Sequence, residues 1–329
     1  MPRVTVILTT YNRLNYLVKA VDSVLNQTFK DFQLVILDNA STDGTEDYVK
    51  SINDDRIMYI RNEENIGALN NGNKAINLCR NCIKSEYVSF FHDDDIMKTQ
   101  LLETELDIFE RYEDVVLVAT NTEIMDENEN VIKRKAMDIN QDIIFEQYKF
   151  IEYFFTTNIS LPCPTVMLRR SFLAENNFVF RPEVGPGSDI FLWFEMNLLN
   201  KRFYLLHTPL LKYRIHRNQD SQLNFFELTV AFFKNTEDFL KKNCLDYLSP
   251  MSKKRTRRIL ITLLSLKRAL KILDKESFIK KKTILKAEGI VDKNLKIKYK
   301  LYIFLSLYFP AFLCLLYQIK RKMQIILNK

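Results

Sequence analysis

Two hydrophobic rhythms alternate along the first 120 residues. Short unbroken apolar runs at 4–8, 32–37, 57–60, 87–91 and 115–120 read as strands covered on both faces. Between them, 14–25, 45–52, 69–83 and 101–112 carry apolar residues at helical spacing. Such strand–helix repetition predicts a Rossmann-like α/β domain: a mostly parallel, mixed sheet with right-handed crossovers and helices on both faces. Residues 123–133 read as a hairpin that turns on Asp126-Glu127-Asn128-Glu129-Asn130. A helix is expected over 145–155, a break at Pro162-Cys163-Pro164, a strand over 165–168, a helix over 190–199 and an extended stretch over 203–215. From 225 onward every segment is helical in pattern: 225–243, 252–273, 276–287 and 295–328. The expected division is a catalytic α/β domain over 1–222 and an all-helical extension over 223–329.

Charge sharpens that division. The net charge of +7 over 329 residues hides about 24 Lys/Arg against 8 Asp/Glu in residues 225–329, and a net of about −9 in the rest. With 47% hydrophobic residues, global disorder is excluded. The run 301–317 is strongly apolar but short of the ~20 residues of a comfortable span, and Pro310 lies near its middle. Lysines flank both ends. The favoured reading is a helix in the membrane interface, with lysines on anionic headgroups; the alternative is a helix packed on protein or on a second copy in a homo-oligomer. The cations lie on long helices with no nucleic-acid motif, so nucleic acid is not expected as a partner. Met1-Pro2-Arg3 leads straight into a run too short for a secretory segment. Cys79 and Cys82 have no second pair, which points to reduced thiols. A cytoplasmic protein, peripheral at the inner face of the plasma membrane, is the expectation.

The chemistry sits where strands run out. Thr9-Thr10-Tyr11-Asn12-Arg13 follows the first strand, Asp38-Asn39-Ala40-Ser41-Thr42-Asp43 the second, and His92-Asp93-Asp94-Asp95 the fourth. Three successive carboxylates repel unless a cation shares them, and hard oxygen ligands suit Mn²⁺ or Mg²⁺, ions that commonly serve phosphates. A solvated acidic turn is the bland alternative. Neither GxGxxG after the first strand nor GxxxxGK[ST] anywhere is present, which disfavours a dinucleotide fold and excludes a P-loop. Asp43 also reads as a helix cap ahead of Thr45. Only six glycines occur, and Gly44, Gly67, Gly185 and Gly187 bracket these segments.

As a set, Thr9–Arg13, Asp38-Asn39-Ala40-Ser41-Thr42-Asp43-Gly44-Thr45, Asn65-Ile66-Gly67 and His92–Asp95 resemble, in order and spacing, the family-2 glycosyltransferases: inverting, nucleotide-sugar-dependent enzymes of the GT-A fold. The resemblance covers about residues 3–220. It implies that Asp38 pairs with the base, usually uracil, with Thr9, Tyr11 and Arg13 lining the same pocket and Asn65 and Gly67 along the nucleotide. The aspartate run takes the place of the family's DxD motif, with Asp93 toward ribose or metal and Asp94 and Asp95 on the metal. His92 stands where the family often has Asp. In many relatives a His in the stretch matching Tyr213-Arg214-Ile215-His216 approaches the metal or diphosphate, which implies His216 as a further ligand and Arg214 as a charge partner. The family places its base in a Glu-Asp pair. Here that pair is Ser188-Asp189, so Asp189 is the candidate base; read from the residues alone, it equally caps a helix. At a helix start its pKa is expected to be held low. Trp193 reads as core and His207 as structural.

The resulting expectation is a sugar transfer from a nucleotide-sugar, a UDP-sugar, to a saccharide or lipid-linked saccharide acceptor. Two further readings stand beside it: a nucleotidyltransferase that makes the activated sugar, and a non-catalytic nucleotide-sugar-binding scaffold.

Overall fold

A computed structural model describes residues 1–157, 159–216 and 225–256, with Ile259 and Lys281. The chain divides into two units, Met1–Asp220 and Ser221–Lys329.

In the first unit the apolar runs become strands, most of them sealed on both sides, while the run at 57–60 forms a half-exposed edge. Strands β1 (Val4–Thr10), β2 (Phe32–Asp38) and β3 (Ile57–Arg61) alternate with helices α1 (Leu14–Leu25), α2 (Thr45–Ser51) and α3 (Ala68–Asn81). Then come β4 (Tyr87–His92), the short β5 (Ile96–Met97), α4 (Leu101–Arg111) and β6 (Val115–Met125). Val6, Leu8, Leu34 and Ile36 are fully buried against Leu17, Val21 and Val24 of α1. At the carboxyl end of β1, Thr10 lies beside Asp38 and Thr9 beside His92. Three loops are therefore brought together by sheet register alone.

Beyond β6 the chain adds β7 (Val131–Lys133), β8 (Ile143–Phe145), α5 (Lys149–Thr156), β9 (Val166–Arg169), α6 (Arg170–Glu175), α7 (Ser188–Asn197) and β10 (Arg202–Arg214). The sheet order is β3-β2-β1-β4-β9-β6-β10-β5, with β7 on β6 and β8 on β10. β9 runs antiparallel to both β4 and β6, and β10 runs parallel to β6. Thus β1, β2, β4, β6 and β10 all end at one edge, and the residues that follow β10 arrive beside the aspartate run.

Several boundaries differ from the sequence reading. β6 continues through Asn121 and Thr122, which look like a strand end because they are polar. Both are buried, and Asn121 exchanges two hydrogen bonds with the main chain of Met137, at 2.8 and 3.0 Å. The expected turn at Asp126–Asn130 follows, closed by Asp126 N on Asn130 O. The expected helix over 145–155 is split: 143–145 pairs with β10, and Tyr148 takes a left-handed φ of 66° before α5 begins. α7 starts two residues early, at Ser188, and the short helix α6 was not foreseen.

In the second unit α8 (Phe225–Lys242) matches the helix read over 225–243. The helices expected over 252–273, 276–287 and 295–328 lie outside the described residues, apart from 252–256, Ile259 and Lys281. Among the described residues no helix is long and apolar enough to cross a membrane.

Asp43 shows how the site loops are braced. No side chain caps α1 from its own N-cap residue; instead Asp43 Oδ2 accepts the Leu14 N–H at 2.8 Å. Asp43 Oδ1 accepts Thr45 N and Thr45 Oγ1 at 3.2 and 2.7 Å. Burial opposes ionisation, but these bonds hold its pKa below the usual carboxylate range. Stability from this group is present above the ordinary Asp pKa and is lost as pH falls through the lowered value. Asp43→Ala is expected to cost about 0.5–2 kcal/mol in denaturant unfolding near neutral pH, and the gap between variant and wild type should narrow on acidification.

Candidate active site

The loop after β1 is stitched to the loop after β2. Asn12, left-handed at φ 50°, donates its N–H to Ser41 Oγ at 2.9 Å, and its Oδ1 accepts from Thr42 N at 2.8 Å. The same loop grips the aspartate run. Tyr11 N donates to Asp93 Oδ2 at 3.3 Å. Arg13 Nη1 lies 3.2 Å from Asp93 Oδ1 and 3.5 Å from Asp94 Oδ2. The Tyr11 ring stays half exposed beside this edge.

Asp93, Asp94 and Asp95 are all buried. Burial, then Asp94, pushes Asp93 up to about 7. Burial, again followed by Asp94, pushes Asp95 well above the carboxylate range. Burial also opposes charge on Asp94, but His216, His92 and Arg13 outweigh it and hold that group low. His216 Nε2 lies 2.9 Å from Asp94 Oδ2, with its ring 5.2 Å from that of Tyr16. The parallel course of β10 thus brings His216 to the aspartates. Arg214 is tied to the same aspartates. Its N–H holds Asp95 Oδ1 and its Nε holds the Asp94 carbonyl, each at 2.8 Å, and its guanidinium lies over the Tyr16 ring at 4.7 Å. It is buried beneath the aspartates as internal counter-charge.

His92, Asp94 and Asp95 each offer a ligand atom within 4.8 Å of the others. Asp95 Oδ2 is a buried acceptor with no hydrogen-bond partner. A hard divalent cation satisfies that oxygen and removes the mutual repulsion, so the residues present fit one. The sequence reading gave Asp94, Asp95 and His216 as ligands; the geometry adds His92, whose place directly before the aspartates was the available signal.

On the nucleotide side, Asp38 is more enclosed than expected. Its Oδ1 accepts Ser41 N and Ser41 Oγ at 2.9 and 2.6 Å, and its Oδ2 accepts the Tyr59 hydroxyl at 2.6 Å, with Arg61 Nε at 3.7 Å. It is fully buried. Tyr59 carries no motif, and only the β2–β3 register, which sets β3 alongside β2, brings it there. Asn65 Oδ1 accepts Asn39 Nδ2 at 2.7 Å and Gly67 N at 2.8 Å, so its side chain shapes the loop. Gly67, at φ 82°, has nothing within 4 Å of where a Cβ would stand, which leaves open space at that backbone. Thr9 is only partly buried at the strand end.

Asp189 stands half-buried at the start of α7. Its Oδ1 accepts Ile190 N at 2.8 Å. Against the low value expected from a helix start, burial pushes it up to about 6 and outweighs the main-chain N–H groups that favour its charged form. Cys163 lies within electrostatic reach of both Asp189 and Asp95, so the base candidate and the aspartate pocket share one region. Asp38 is two strands away along the edge, roughly 10 Å at ordinary strand spacing. Trp193 is core, its Nε1 donating to Leu161 O at 3.0 Å. His207 is structural: its N–H and Nδ1 both face Asp142 Oδ1, at 2.9 and 2.6 Å.

A mixed, mostly parallel sheet with carboxylates gathered at its strand ends is the GT-A arrangement of sugar-transferring enzymes. Residues 5–176 match the model of Glycosyl transferase family 2, and the chain belongs to that family and is a glycosyltransferase. An uncharacterized glycosyltransferase of Methanocaldococcus jannaschii is 30% identical over 230 residues, covering 68% of this chain and 74% of that protein. The Escherichia coli UDP-Glc:alpha-D-GlcNAc-diphosphoundecaprenol beta-1,3-glucosyltransferase WfaP is 29% identical over 233 residues, covering 69% and 83%. In three dimensions, TarS residues 1–349 of S. aureus, in complex with UDP-GlcNAc, superpose with a TM-score of 0.60 at 18% identity, over 85% of this chain and 79% of that one. The chain spans 40% of the longer TarS chain.

Mn²⁺ is expected to raise the melting temperature of the protein and to give a bound EPR spectrum, with or without UDP. Asp94→Asn should lose both effects. Equal stabilisation of the variant would remove Asp94 from the ligand set.

Proposed function

We propose that this glycosyltransferase moves a sugar from a UDP-sugar to a hydroxyl of a saccharide or lipid-linked saccharide acceptor, with inversion at the anomeric carbon. The single observation that carries the reading is Asp189: a half-buried carboxylate at the start of α7 with a pKa raised by burial to about 6, with Cys163 in electrostatic reach of both it and Asp95. A group so tuned is ionised near neutral pH yet basic enough to take a proton. The names of relatives support the substrate class, since WfaP is described as acting with UDP-Glc on a diphosphoundecaprenol-linked sugar. Matches to glycosyltransferases throughout favour this over nucleotidyl transfer.

The residues then divide the work. Thr9, Tyr11 and Arg13 line the nucleoside pocket, and Gly67 lets the nucleotide approach the backbone that Asn65 shapes. Asp38 faces the base, in concert with Tyr59, whose hydroxyl occupies Oδ2 until a base N–H takes its place. Asp93, held by Tyr11 N and Arg13, faces the ribose. Asp94, Asp95 and His216, with His92, hold Mn²⁺ or Mg²⁺, which when bound supplies charge neutralisation to the diphosphate. Asp189 accepts the acceptor's hydroxyl proton as that oxygen bonds to the anomeric carbon. The bond to the diphosphate breaks on the opposite face, and UDP leaves with the electron pair. Peripheral contact of the basic residues beyond 223 with the cytoplasmic face of the membrane would bring a lipid-linked acceptor to the site; association of two copies through those residues belongs to the same proposal.

UDP release from a panel of UDP-sugars, with Mn²⁺ and polyprenyl-diphosphate-linked acceptors, tests the reading. Asp189→Asn should lower kcat about 10²–10⁴-fold. The kcat/KM of wild type should fall below about pH 6, as the base becomes protonated. The sign for stability is opposite: a raised carboxyl pKa penalises the charged form, so Asp189→Asn should fold at least as stably as wild type near pH 7. Undiminished turnover in Asp189→Asn would reject the base assignment.

A further inference from the structure

One face of α1 packs against the aspartate run and the end of β10. Arg13, at the N-cap, and Tyr16 and Lys19, within the helix, are spaced three apart and follow one another along that face. Each meets a different part of the site. Arg13 Nη1 lies 3.2 Å from Asp93 Oδ1 and 3.5 Å from Asp94 Oδ2. The half-buried Tyr16 ring lies 5.2 Å from the His216 ring, tilted by 49°, and the centre of the Arg214 guanidinium stands 4.7 Å over it. Lys19 pairs with Glu129, whose Oε1 also lies 3.4 Å from Arg214 Nη2. The helix is firmly seated for this task. Tyr16 N donates to Arg13 O at 2.9 Å, and Leu17, the next residue, is fully buried in the core.

The two β10-end side chains that touch Tyr16 depend on it unequally. Arg214 is pinned without it: its N–H is on Asp95 Oδ1, its Nε on the Asp94 carbonyl, and its Nη1 lies 3.4 Å from Glu127 O. His216 has less. Ile215 N on Met125 O, at 2.9 Å, fixes the main chain just before it. Among the described residues its ring has two polar or ring contacts, Asp94 Oδ2 at 2.9 Å from Nε2 and the Tyr16 ring. A hydrogen bond at one ring atom leaves the imidazole plane free to turn about it. A tilted aromatic ring against the imidazole removes that freedom. We propose that Tyr16 is a positioning residue for His216: its ring fixes the plane in which the imidazole presents Nε2 beside Asp94 for a divalent cation. This rests on the reading of His216 as a metal ligand. A ligand held in place before the ion arrives loses less freedom on binding, and losing the partners that orient ligating histidines weakens metal affinity.

Mn²⁺ affinity, read by EPR titration of the full chain without donor or acceptor, tests this apart from turnover. Tyr16→Leu removes the ring, and Tyr16→Phe keeps it. Tyr16→Leu should bind Mn²⁺ roughly ten- to hundredfold more weakly, while Tyr16→Phe should stay near wild type because the ring that meets His216 is retained. His216→Ala is titrated beside them, alone and combined with Tyr16→Leu. Adding Tyr16→Leu to His216→Ala should weaken binding no further, since the ring then has no imidazole to hold. A merely structural tyrosine would lower the melting temperature and leave the Mn²⁺ dissociation constant where it was. Wild-type Mn²⁺ affinity in folded Tyr16→Leu overturns the proposal, as does equal weakening in Tyr16→Phe or full additivity in the double variant. Should Tyr16→Leu fail to fold, Tyr16→Met, a good helix former without a ring, is judged by the same outcomes. Unchanged affinity in His216→Ala would instead remove the reading of His216 as a ligand, whereas a weakened His216→Ala beside an unaffected Tyr16→Leu removes only the positioning role.

Discussion

Crowded negative charge at the end of β4 organises this enzyme. Three successive carboxylates are taken out of water within a few ångströms of one another, an arrangement that is costly unless opposite charge and donors are supplied from elsewhere. Each neighbouring segment supplies some. The loop after β1 gives the Tyr11 N–H and the Arg13 guanidinium; the end of β10 gives the Arg214 main chain and side chain, and His216 follows. The compensation is uneven. Burial prevails at Asp93 and Asp95, while the surrounding cations prevail at Asp94. Asp95 keeps one buried oxygen with no hydrogen-bond partner. The residues present there fit a hard cation.

Topology makes the compensation available. Inserting antiparallel β9 between β4 and β6 leaves β6 pointing the same way as β4, and β10 then follows β6. Arg214 and His216 are carried to the aspartates, more than a hundred residues away in sequence. The same insertion places the turn before β9 between the aspartate pocket and the start of α7. Cys163 therefore feels both Asp95 and Asp189. Ser188 stands where the resemblance implies a second acid. Ser188 is buried, and its Oγ accepts the Arg181 N–H, so it closes the loop ahead of α7 and adds no charge to it.

Much of this was open to reading from the residues, and the parts that were not have a common character. Strands β1 to β4 announce themselves because unbroken apolar runs between amphipathic helices leave few alternatives. The chemically loaded positions follow, since loops at strand ends share one edge of a parallel sheet. Asn121 and Thr122 misled because their polarity is answered by Met137, a partner that pattern along the chain does not reveal. Phe145 read as the start of a helix because its apolar spacing fits either period; pairing of 143–145 with β10 settled it.

Residue order and type were enough to place Asp38, the aspartate run and Asp189 at strand or helix ends, and to choose a hard cation as their fitting company, while the sugar nucleotide came from the resemblance to family-2 glycosyltransferases. Those inferences depend on rules that act within a few residues: periodicity, turn chemistry and the hardness of oxygen ligands. Which oxygens remain available, and how tightly each holds a proton, was settled only by folding. Tyr59 closes over Asp38, Arg214 is tied to the Asp94 carbonyl and to Asp95, and burial lifts Asp189 where the helix start would have lowered it. Desolvation and long-range partners fix these properties, and both exist only once distant segments of the chain have packed together.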